Sequence, residues 1–515
     1  MQGIVGEWPF SSSTDHADQA WETEVKFRYG GDVATLQRAL NVWPRHRPKQ
    51  KQLRSVYFDT PDHDLWKNGI TLRLRWDGKP PYRMGIKFAD GAADGPFRRG
   101  EIETEIPDAA PQFDNLAPVL VRRLERLRQR KPLVPLFETR ITRTLWRVAA
   151  GISVVEVVLD EGEIALPDGR SQPLREIEFE LKDGRDSDLF DLVRLIAGRI
   201  EVTLEFQSKS DRGFALLHPE QLVPRKSTPL LLKRRQTLGG GIDAILSNTL
   251  HHFVGNWTAL RETDAPESIH QLRVALRRMR SAFKMLRHAL QTDVFETLRE
   301  EAGHIAGRLG PARELDSFIA AAEAGALRGP EKPPGCETLM AAARALRDEH
   351  AQTARAVIND RRSTLFVLDL QCLLAQRRWR TRLPSAQAAR LSKPIRGAAR
   401  AMLDRLHTRA LKRGRGLARR SDAERHALRI ALKDLRYAME FFGTVFDHPK
   451  RRQRLLISAG ELQDILGKHN DAVAVDDLVR RLADGQGSEA AHAAGYLIGW
   501  HAHEITVNDG HLKDA

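Results

Sequence analysis

Glu22, Glu24, Lys26 and Arg28 alternate with Thr23, Val25 and Phe27. A two-residue period puts the four charged side chains on one face of a strand and the other three on the opposite face. Two carboxylates followed on the same face by a cation can hold a divalent metal and an anion side by side. A single strand of this kind is equally an edge strand with a solvated charged face. The pattern gains weight because it returns on strand after strand, with both signs of charge, as far as Arg212.

Arg73 and Arg75 share a face of the run Ile70–Trp76, and Arg83 and Lys87 share a face of Tyr82–Phe88. Arg99, Glu101, Glu103 and Glu105 have one parity, opposite Ile102 and Ile106. Arg143 falls in a strand from Phe137 to Val148, Asp160 shares a face with Glu156, and Glu176, Glu178 and Glu180 alternate with Ile177, Phe179 and Leu181. A last strand is predicted over Val202–Lys209, followed by Arg212. The elements that must position these groups are therefore about eight strands, with helices expected at 32–41, 115–131 and 186–199. An open sheet would bury its apolar faces under the helices and leave the charges in water. A closed antiparallel barrel would turn the charges inward, around an aqueous chamber. Acidic and basic clusters in one chamber suit a metal-bound polyanion: carboxylates take Mg²⁺ or Mn²⁺, and Arg and Lys take phosphate oxygens.

Beyond residue 240 the pattern is helical, with Ala, Leu and Arg at spacings of three and four. It contains an internal repeat. Ile269-His270-Gln-Leu-Arg273-Val-Ala-Leu-Arg277-Arg-Met-Arg280 aligns with Arg425-His426-Ala-Leu-Arg429-Ile-Ala-Leu-Lys433-Asp-Leu-Arg436, at an offset of 156 residues. In both copies the basic residues fall at i, i+3, i+7 and i+10, one helix face. Leu309-Gly310-x-x-Arg313-x-x-Asp316 and Leu466-Gly467-x-His469-Asn470-Asp471 follow each copy. One basic helix face is ordinarily a solvated face. Two copies with the same spacing, His included, point to a cationic groove in which Arg makes bidentate phosphate contacts and His adds a donor as pH falls. A His pair binding metal is a weaker reading, because its companions are basic.

Charge divides along the same line. Residues 1–220 hold 33 Lys and Arg against 35 Asp and Glu, and residues 221–515 hold 49 against 33. A net of +16 in the second part points to a polyanionic partner, for which nucleic acid, polyphosphate and an anionic membrane all qualify. Few aromatic residues interleave with these charges, which argues against stacking on single-stranded nucleic acid. The longest apolar runs are too short to span a bilayer, so no membrane role is expected. The N-terminus lacks a basic segment followed by an apolar core, and Cys336 and Cys372 fit no metal-ligand spacing; a reduced, cytoplasmic setting is expected.

The run Glu22-x-Glu24-x-Lys26 resembles the signature of the CYTH, or triphosphate tunnel metalloenzyme, family. So do Leu72-Arg73-Leu74-Arg75, the Ile86-Lys87 strand, Phe137-x-Thr139-x-x-x-Arg143, Leu159-Asp160-x-Gly162-Glu163, the 176–180 glutamates and Ser208-Lys209-Ser210-x-Arg212-Gly213. All occur in the family's order across residues 20–217. The resemblance implies an eight-stranded antiparallel tunnel that binds a triphosphate. Carried over, Glu22, Glu24, Asp160, Glu176, Glu178 and Glu180 are metal-side residues for Mg²⁺ or Mn²⁺. Lys26, Arg73, Arg75, Lys87, Arg143, Lys209 and Arg212 are phosphate-side residues. Glu22, Glu24 and Lys26 are the catalytic candidates, Lys26 orienting or deprotonating the attacking water.

The repeat over 235–510 resembles the CHAD, or conserved-histidine α-helical, domain. That resemblance implies two related helical bundles and binding of inorganic polyphosphate by His270, Arg273, Arg277, Arg280, His426, Arg429, Lys433 and Arg436. The expected architecture is α+β and multidomain: a lead-in at 1–20, a tunnel domain at 21–220, a linker at 221–240, and an all-α domain at 241–510 with repeats at 241–370 and 390–510. The chain is similar to bacterial CYTH–CHAD inorganic triphosphatases. The expected activity is hydrolysis of tripolyphosphate, with association with polyphosphate granules. Two alternatives stand: an enzyme of an organic triphosphate (a nucleoside or thiamine triphosphatase, or an adenylate cyclase), and a non-catalytic polyphosphate adaptor. The oligomeric state is left open.

Overall fold

A computed structural model describes residues 20–514 except 44, 46, 79, 89–96, 291, 330, 331 and 382. Apart from Ala20, the expected lead-in at 1–20 lies outside the described residues. One antiparallel sheet contains β1 (Ala20–Arg28), β2 (Lys49–Asp59), β3 (Ile70–Trp76), β4 (Tyr82–Phe88), β5 (Arg98–Ile106), β6 (Val134–Ala150), β7 (Ser153–Ala165), β8 (Ser171–Asp183) and β9 (Thr203–Glu205). The neighbour order is β5-β4-β3-β2-β6-β7-β8-β1-β9, and β1 pairs in addition with β5. Glu24–Arg28 pair with β8, Ala20–Thr23 with β5, and Lys26–Arg28 with β9. The eight longer strands thus curl back on themselves, but the join at β1 and β5 is four residue pairs long. The expected tunnel is therefore a sheet that is not closed along its whole height.

The helices of this region are α1 (Val33–Leu40), α2 (Asp64–Lys67), α3 (Pro118–Arg128), α4 (Asp186–Arg199) and α5 (Lys209–Leu217). Asp32 caps α1 by accepting from the Thr35 amide at 2.5 Å. Ser208 and Asp211 form a reciprocal capping box that starts α5. The last predicted strand is correspondingly short. Only Thr203–Glu205 is extended, and Lys209 and Arg212 lie on a helix, because the capping box claims the chain at Ser208.

The helices cover the apolar faces. Leu120 and Leu124 of α3 pack with Leu72, Leu74, Ile86 and Ile106. Phe214 of α5 packs with Tyr57, Phe137, Ile141 and Leu174. Leu189, Val193 and Ile196 of α4 are fully buried. The opposite, charged face is also withdrawn from water: Glu24, Lys26, Arg73, Glu101, Asp160 and Glu176 are all 8% exposed or less. A solvated sheet would leave these groups exposed, so the inward-facing arrangement is the one adopted.

The remaining helices are α6 (Leu238–Glu262), α7 (Pro266–Leu290), α8 (Glu296–Arg308), α9 (Gly310–Ala324), α10 (Cys336–Asn359), α11 (Arg361–Gln376), α12 (Arg378–Thr381), α13 (Ser385–Arg390), α14 (Ile395–Gly414), α15 (Asp422–Phe442), α16 (Pro449–Ala483) and α17 (Ser488–Asp514). No described helix is long and apolar enough to cross a membrane. The chain divides into two compact units, and the division differs from the contiguous helical region expected at 241–510. The first unit holds Met1–Val223 together with Trp257–Thr263 and Ile358–Arg378. Side-chain contacts explain the two insertions. Arg261 donates to both carboxylate oxygens of Glu205 at 2.8 Å, and Arg28 reaches Glu205 at 2.6 Å and Glu262 at 2.7 Å. Helix α11 packs on α4, where Arg194 pairs with Asp369 and Gln376 donates to Asp191 at 2.8 Å.

In the second unit, α7 and α15 are the two copies of the repeat and pack on each other. Lys284 meets Asp434 at 2.7 Å and Arg278 meets Glu440 at 3.5 Å. Arg278 and Asp434 are one repeat apart, as are Lys284 and Glu440. The two ion pairs are thus repeat-related with their signs exchanged. A buried polar network joins α6 to α7: His252 Nε2 lies 3.0 Å from Gln271, its Nδ1 lies 3.4 Å from Arg278, and Arg278 donates to Asn248 at 2.9 Å.

Burial pushes His252 down to about 4 from its ordinary 6.5. The folded protein keeps the ring neutral while the unfolded chain takes up a proton below pH 6.5, so the stability it contributes is complete above 6.5 and is lost as pH falls towards 4. The loss should approach roughly 3 kcal/mol. Urea unfolding of wild type and His252→Gln at several pH values tests this. The variant, which cannot titrate there, should show the flatter pH dependence, and parallel curves would contradict the assignment.

Candidate functional site

The alternation of β1, β3, β4, β5, β6, β7 and β8, together with the first turn of α5, brings the inward charges into two clusters. In the first, Asp160 of β7 stands opposite Arg143 of β6 and Glu176 of β8, while Lys26 of β1 stands opposite Glu178 of β8. Asp160, Glu176 and Glu178 each offer a carboxylate oxygen within 4.8 Å of the others. Lys209 Nζ contacts all three, at 2.8, 2.5 and 2.9 Å. Arg143 forms a fork on Asp160 at 2.7 and 2.6 Å and reaches Glu178 at 3.1 Å. Arg212 reaches Glu176 at 3.2 Å, and Lys26 lies 2.9 Å from Glu24 and 3.5 Å from Glu178.

Burial works against every charge here. In Asp160 and Glu178 it is outweighed by Lys209 with Arg143 or Lys26, and both are held below the usual carboxylate range. In Glu176 burial prevails and raises the pKa. Lys209 is kept charged, against its own burial, by Asp160, Glu176 and Glu178. Helix α5 can deliver Lys209 and Arg212 because residue 213 is glycine: a Cβ there would meet the Phe137 ring at 2.1 Å.

The second cluster spans β1, β3, β4 and β5. Lys87 bridges Glu22 at 2.7 Å and Glu101 at 2.9 Å. Arg73 bridges Glu101 at 2.7 Å and Glu103 at 3.0 Å. Among the described residues, Arg75 has only a distant partner, Glu103 at 3.8 Å. Burial pushes Glu22 up to about 8, Lys87 opposes it, and a hydrogen bond with Glu101 adds to the rise. Burial also acts on Glu101, but Arg73 and Lys87 outweigh it and hold this carboxylate far below the ordinary range. Burial, with Arg73 and Arg143 nearby, lowers Arg75 to about 10. Among the described residues, the buried Nε–H groups of Arg73, Arg75 and Arg212 have no acceptor. Burying a polar group without a partner is costly, so these donors suit an oxyanion.

Three sequence-derived points change. Glu101 and Glu103, which the sequence reading gives no role, join the second cluster; their parity on β5 and their register against Lys87 and Gly85 are the signal. Of the three β8 glutamates, Glu176 and Glu178 join Asp160, whereas Glu180 pairs with Lys182. Arg28, on the Glu22 face by parity, is taken up by Glu205 and Glu262.

On the helical unit, His270, Arg273, Arg277 and Arg280 lie on α7 and His426, Arg429, Lys433 and Arg436 on α15. Burial lowers the pKa of His270, and Arg313, Arg277 and Arg273 add to it, which marks a shared positive field. Arg277 donates to Tyr437 Oη at 2.6 Å, and Arg436 lies 5.4 Å over the same ring, so the two copies meet at Tyr437. The Leu-Gly motifs gain a physical reason. A Cβ at Gly310 would meet Arg273 at 3.0 Å, and one at Gly467 would meet Arg429 at 3.2 Å. The side chains of His469, Asn470 and Asp471 lie outside the described residues.

Gly213→Ala should destabilise the sheet unit by about 1–3 kcal/mol through overpacking on Phe137. Gly198→Ala on α4, where a Cβ meets nothing within 4 Å, is the control and should leave stability unchanged or raise it. Thermal unfolding of the two variants checks this, and equal midpoints would refute it.

Residues 20–213 match the family model of the CYTH domain, and residues 244–480 match that of the CHAD domain. Over 169 residues the chain is 35% identical to an inorganic triphosphatase of Haemophilus influenzae. That match covers 32% of this chain and 46% of the relative, so it spans about half of the relative's length. Among solved structures, the CHAD domain from the plant Ricinus communis is 27% identical, with a TM-score of 0.49, over 57% of this chain and 94% of that one. PptA from Streptomyces chartreusis is 20% identical, with a TM-score of 0.40, over 54% of this chain and 99% of that one.

Proposed function

Because this chain carries a CYTH domain followed by a CHAD domain, we propose that it is a metal-dependent inorganic triphosphatase whose helical unit binds inorganic polyphosphate. The observation that carries this reading is the inward face of the sheet. There a group of three carboxylates lies beside buried guanidinium N–H donors that have no acceptor among the described residues. The first suits a hard divalent cation and the second suits phosphate oxygens.

In this reading Asp160, Glu176 and Glu178 hold Mg²⁺ or Mn²⁺, with Glu22 and Glu24 of β1 and Glu180 of β8 as the further acidic residues. All are oxygen donors, as such ions require. When bound, the metal supplies Lewis-acid stabilisation of charge on the phosphoryl oxygens. Lys209 contacts all three carboxylates, and a cation sharing their charge would leave its ammonium available to phosphate oxygens. Arg73, Arg75, Lys87, Arg143 and Arg212 bind the tripolyphosphate oxygens and neutralise the charge that develops on the leaving diphosphate. Lys26, held by Glu24, orients the water. The water oxygen bonds to the terminal phosphorus, the bridging P–O bond breaks, diphosphate leaves with that electron pair, and the proton lost by the water passes to solvent. On the helical unit, the basic faces of α7 and α15 bind polyphosphate and recruit the protein to polyphosphate granules.

Phosphate release from tripolyphosphate, with Mg²⁺ and with Mn²⁺, tests the sheet site. Glu22→Ala/Glu24→Ala and Asp160→Asn should each lose activity by about 100-fold or more while remaining folded. Undiminished turnover would end the assignment, and faster release from nucleoside or thiamine triphosphate would move it to an organic substrate.

Polyphosphate binding to the helical unit should weaken steeply with salt. Neutralising Arg273, Arg277, Arg429 and Lys433 together should cut affinity by about 10-fold or more and flatten that salt dependence. Filter binding at several salt concentrations reads both, and an unchanged slope would remove the proposed groove.

A further inference from the structure

We propose that a cavity where α7, α14 and α15 meet is a separate binding site for a single phosphate dianion. Its volume is about 140 Å³. It is lined by Lys284 and His288 of α7, Arg405 and Arg409 of α14, and Asp434 of α15, over apolar Met285 and Leu406. None of these residues belongs to the sheet site or to the basic repeat positions.

The charge in the cavity is unbalanced. Three permanent cations face one carboxylate, leaving a net of +2 with His288 neutral. Asp434 is 7% exposed and fixes the wall, holding Lys284 at 2.7 Å and standing 3.9 Å from Arg409. One carboxylate cannot satisfy both, because Lys carries three donors and Arg five. Among the described residues, Arg405 and His288 have no hydrogen-bond or ion-pair partner. The groups facing His288 are Lys284 and Arg287 on its own helix and Arg405 and Arg409 on α14, with Asp434 on α15. Burial lowers the pKa of His288, and Arg405, Lys284, Arg287 and Arg409 lower it further. The ring therefore reports an uncompensated positive field that a dianion would relieve.

Size selects within the anions. The cavity is smaller than the roughly 300 Å³ at which pockets for organic ligands begin. It exceeds the roughly 30 Å³ share of one water several-fold. A single phosphoryl group fits these limits, whereas a whole nucleotide is too large to be enclosed. A solvated basic face would spread along one helix; here donors from two helices converge over an apolar floor beside a buried carboxylate. The same chemistry is offered by free orthophosphate and by the terminal group of a polyphosphate chain. The inference is independent of hydrolysis at the sheet.

The test uses the full-length protein and follows the His288 imidazole by NMR while inorganic phosphate, tripolyphosphate or cyclic trimetaphosphate, which has no terminal group, is added. Orthophosphate should raise the His288 pKa by about one unit. Arg405→Gln/Arg409→Gln should weaken that response by about 10-fold or more. Arg405→Gln alone, at an exposed and unpaired position, carries the test if the double variant is unstable. A response to orthophosphate assigns the site to free phosphate. A response to tripolyphosphate alone assigns it to chain ends. An equal response to trimetaphosphate, an unaltered response in the variants, or no shift of His288 would overturn the proposal. Tripolyphosphate hydrolysis measured in parallel should be unchanged in these variants, which keeps the two readings separable.

Discussion

Lys209 contacts three carboxylates that repel one another, those of Asp160, Glu176 and Glu178, and the sheet unit is built around that contact. Asp160 and Glu176 are fully buried, so neither can rely on water. Removing one partner from a buried ion pair typically costs about 3–5 kcal/mol, because the other charge is left unmatched. The cluster is tolerated only because Lys209, Arg143 and Arg212 arrive together. Arg143 depends on the β6–β7 register, and Lys209 and Arg212 depend on the start of α5. A slip of one residue in any of these strands would turn the charges outward and the apolar side chains inward.

The same constraint gives the polar and glycine positions around the cluster their purpose. Ser208 and Asp211 end the extended chain where the two cations are needed. Gly213 lets α5 approach Phe137. Gly85, paired with Arg73 across β3 and β4, leaves room for that guanidinium: a Cβ there would meet Arg73 Nε at 3.0 Å. A site with this much buried charge has its donors fixed before any ligand arrives. Electrostatic stabilisation of an anion gains from such preorganisation.

The helical unit solves a different problem with the same residue types. Most of its basic repeat side chains are half-buried, Arg280 and His426 being exposed, on helices whose apolar faces form the core, and each Arg is steadied by a small neighbour or an aromatic ring. Arg273 donates to the Ala306 carbonyl at 2.7 Å beside Gly310, and Arg277 is steadied by Tyr437. Duplication is visible in the α7–α15 contact, where the repeat-related ion pairs carry exchanged signs. Exchanged signs let two similar helices pack face to face without opposing like charges.

The sequence by itself determined the strand periodicities, the charged faces, the repeat and its offset, and the identity of most of the charged residues. These are local properties, read from spacing along the chain. It left open whether the charged faces point to water or inward, because a two-residue period separates two faces without saying which one is enclosed. Burial of Asp160, Glu176 and Arg73 settled that. Tertiary structure also decided that Glu176 and Glu178, and not Glu180, gather with Asp160, that Glu101 and Glu103 join Lys87 and Arg73, and that Glu205 and Glu262 claim Arg28. It placed residues 257–263 and 358–378 with the sheet, and it assembled the cavity of Lys284, Arg405, Arg409 and Asp434 by bringing α7 against α14 and α15, more than a hundred residues further along the chain. Each of these depends on which elements pack together, and packing is set by long-range contacts that no spacing along one segment encodes.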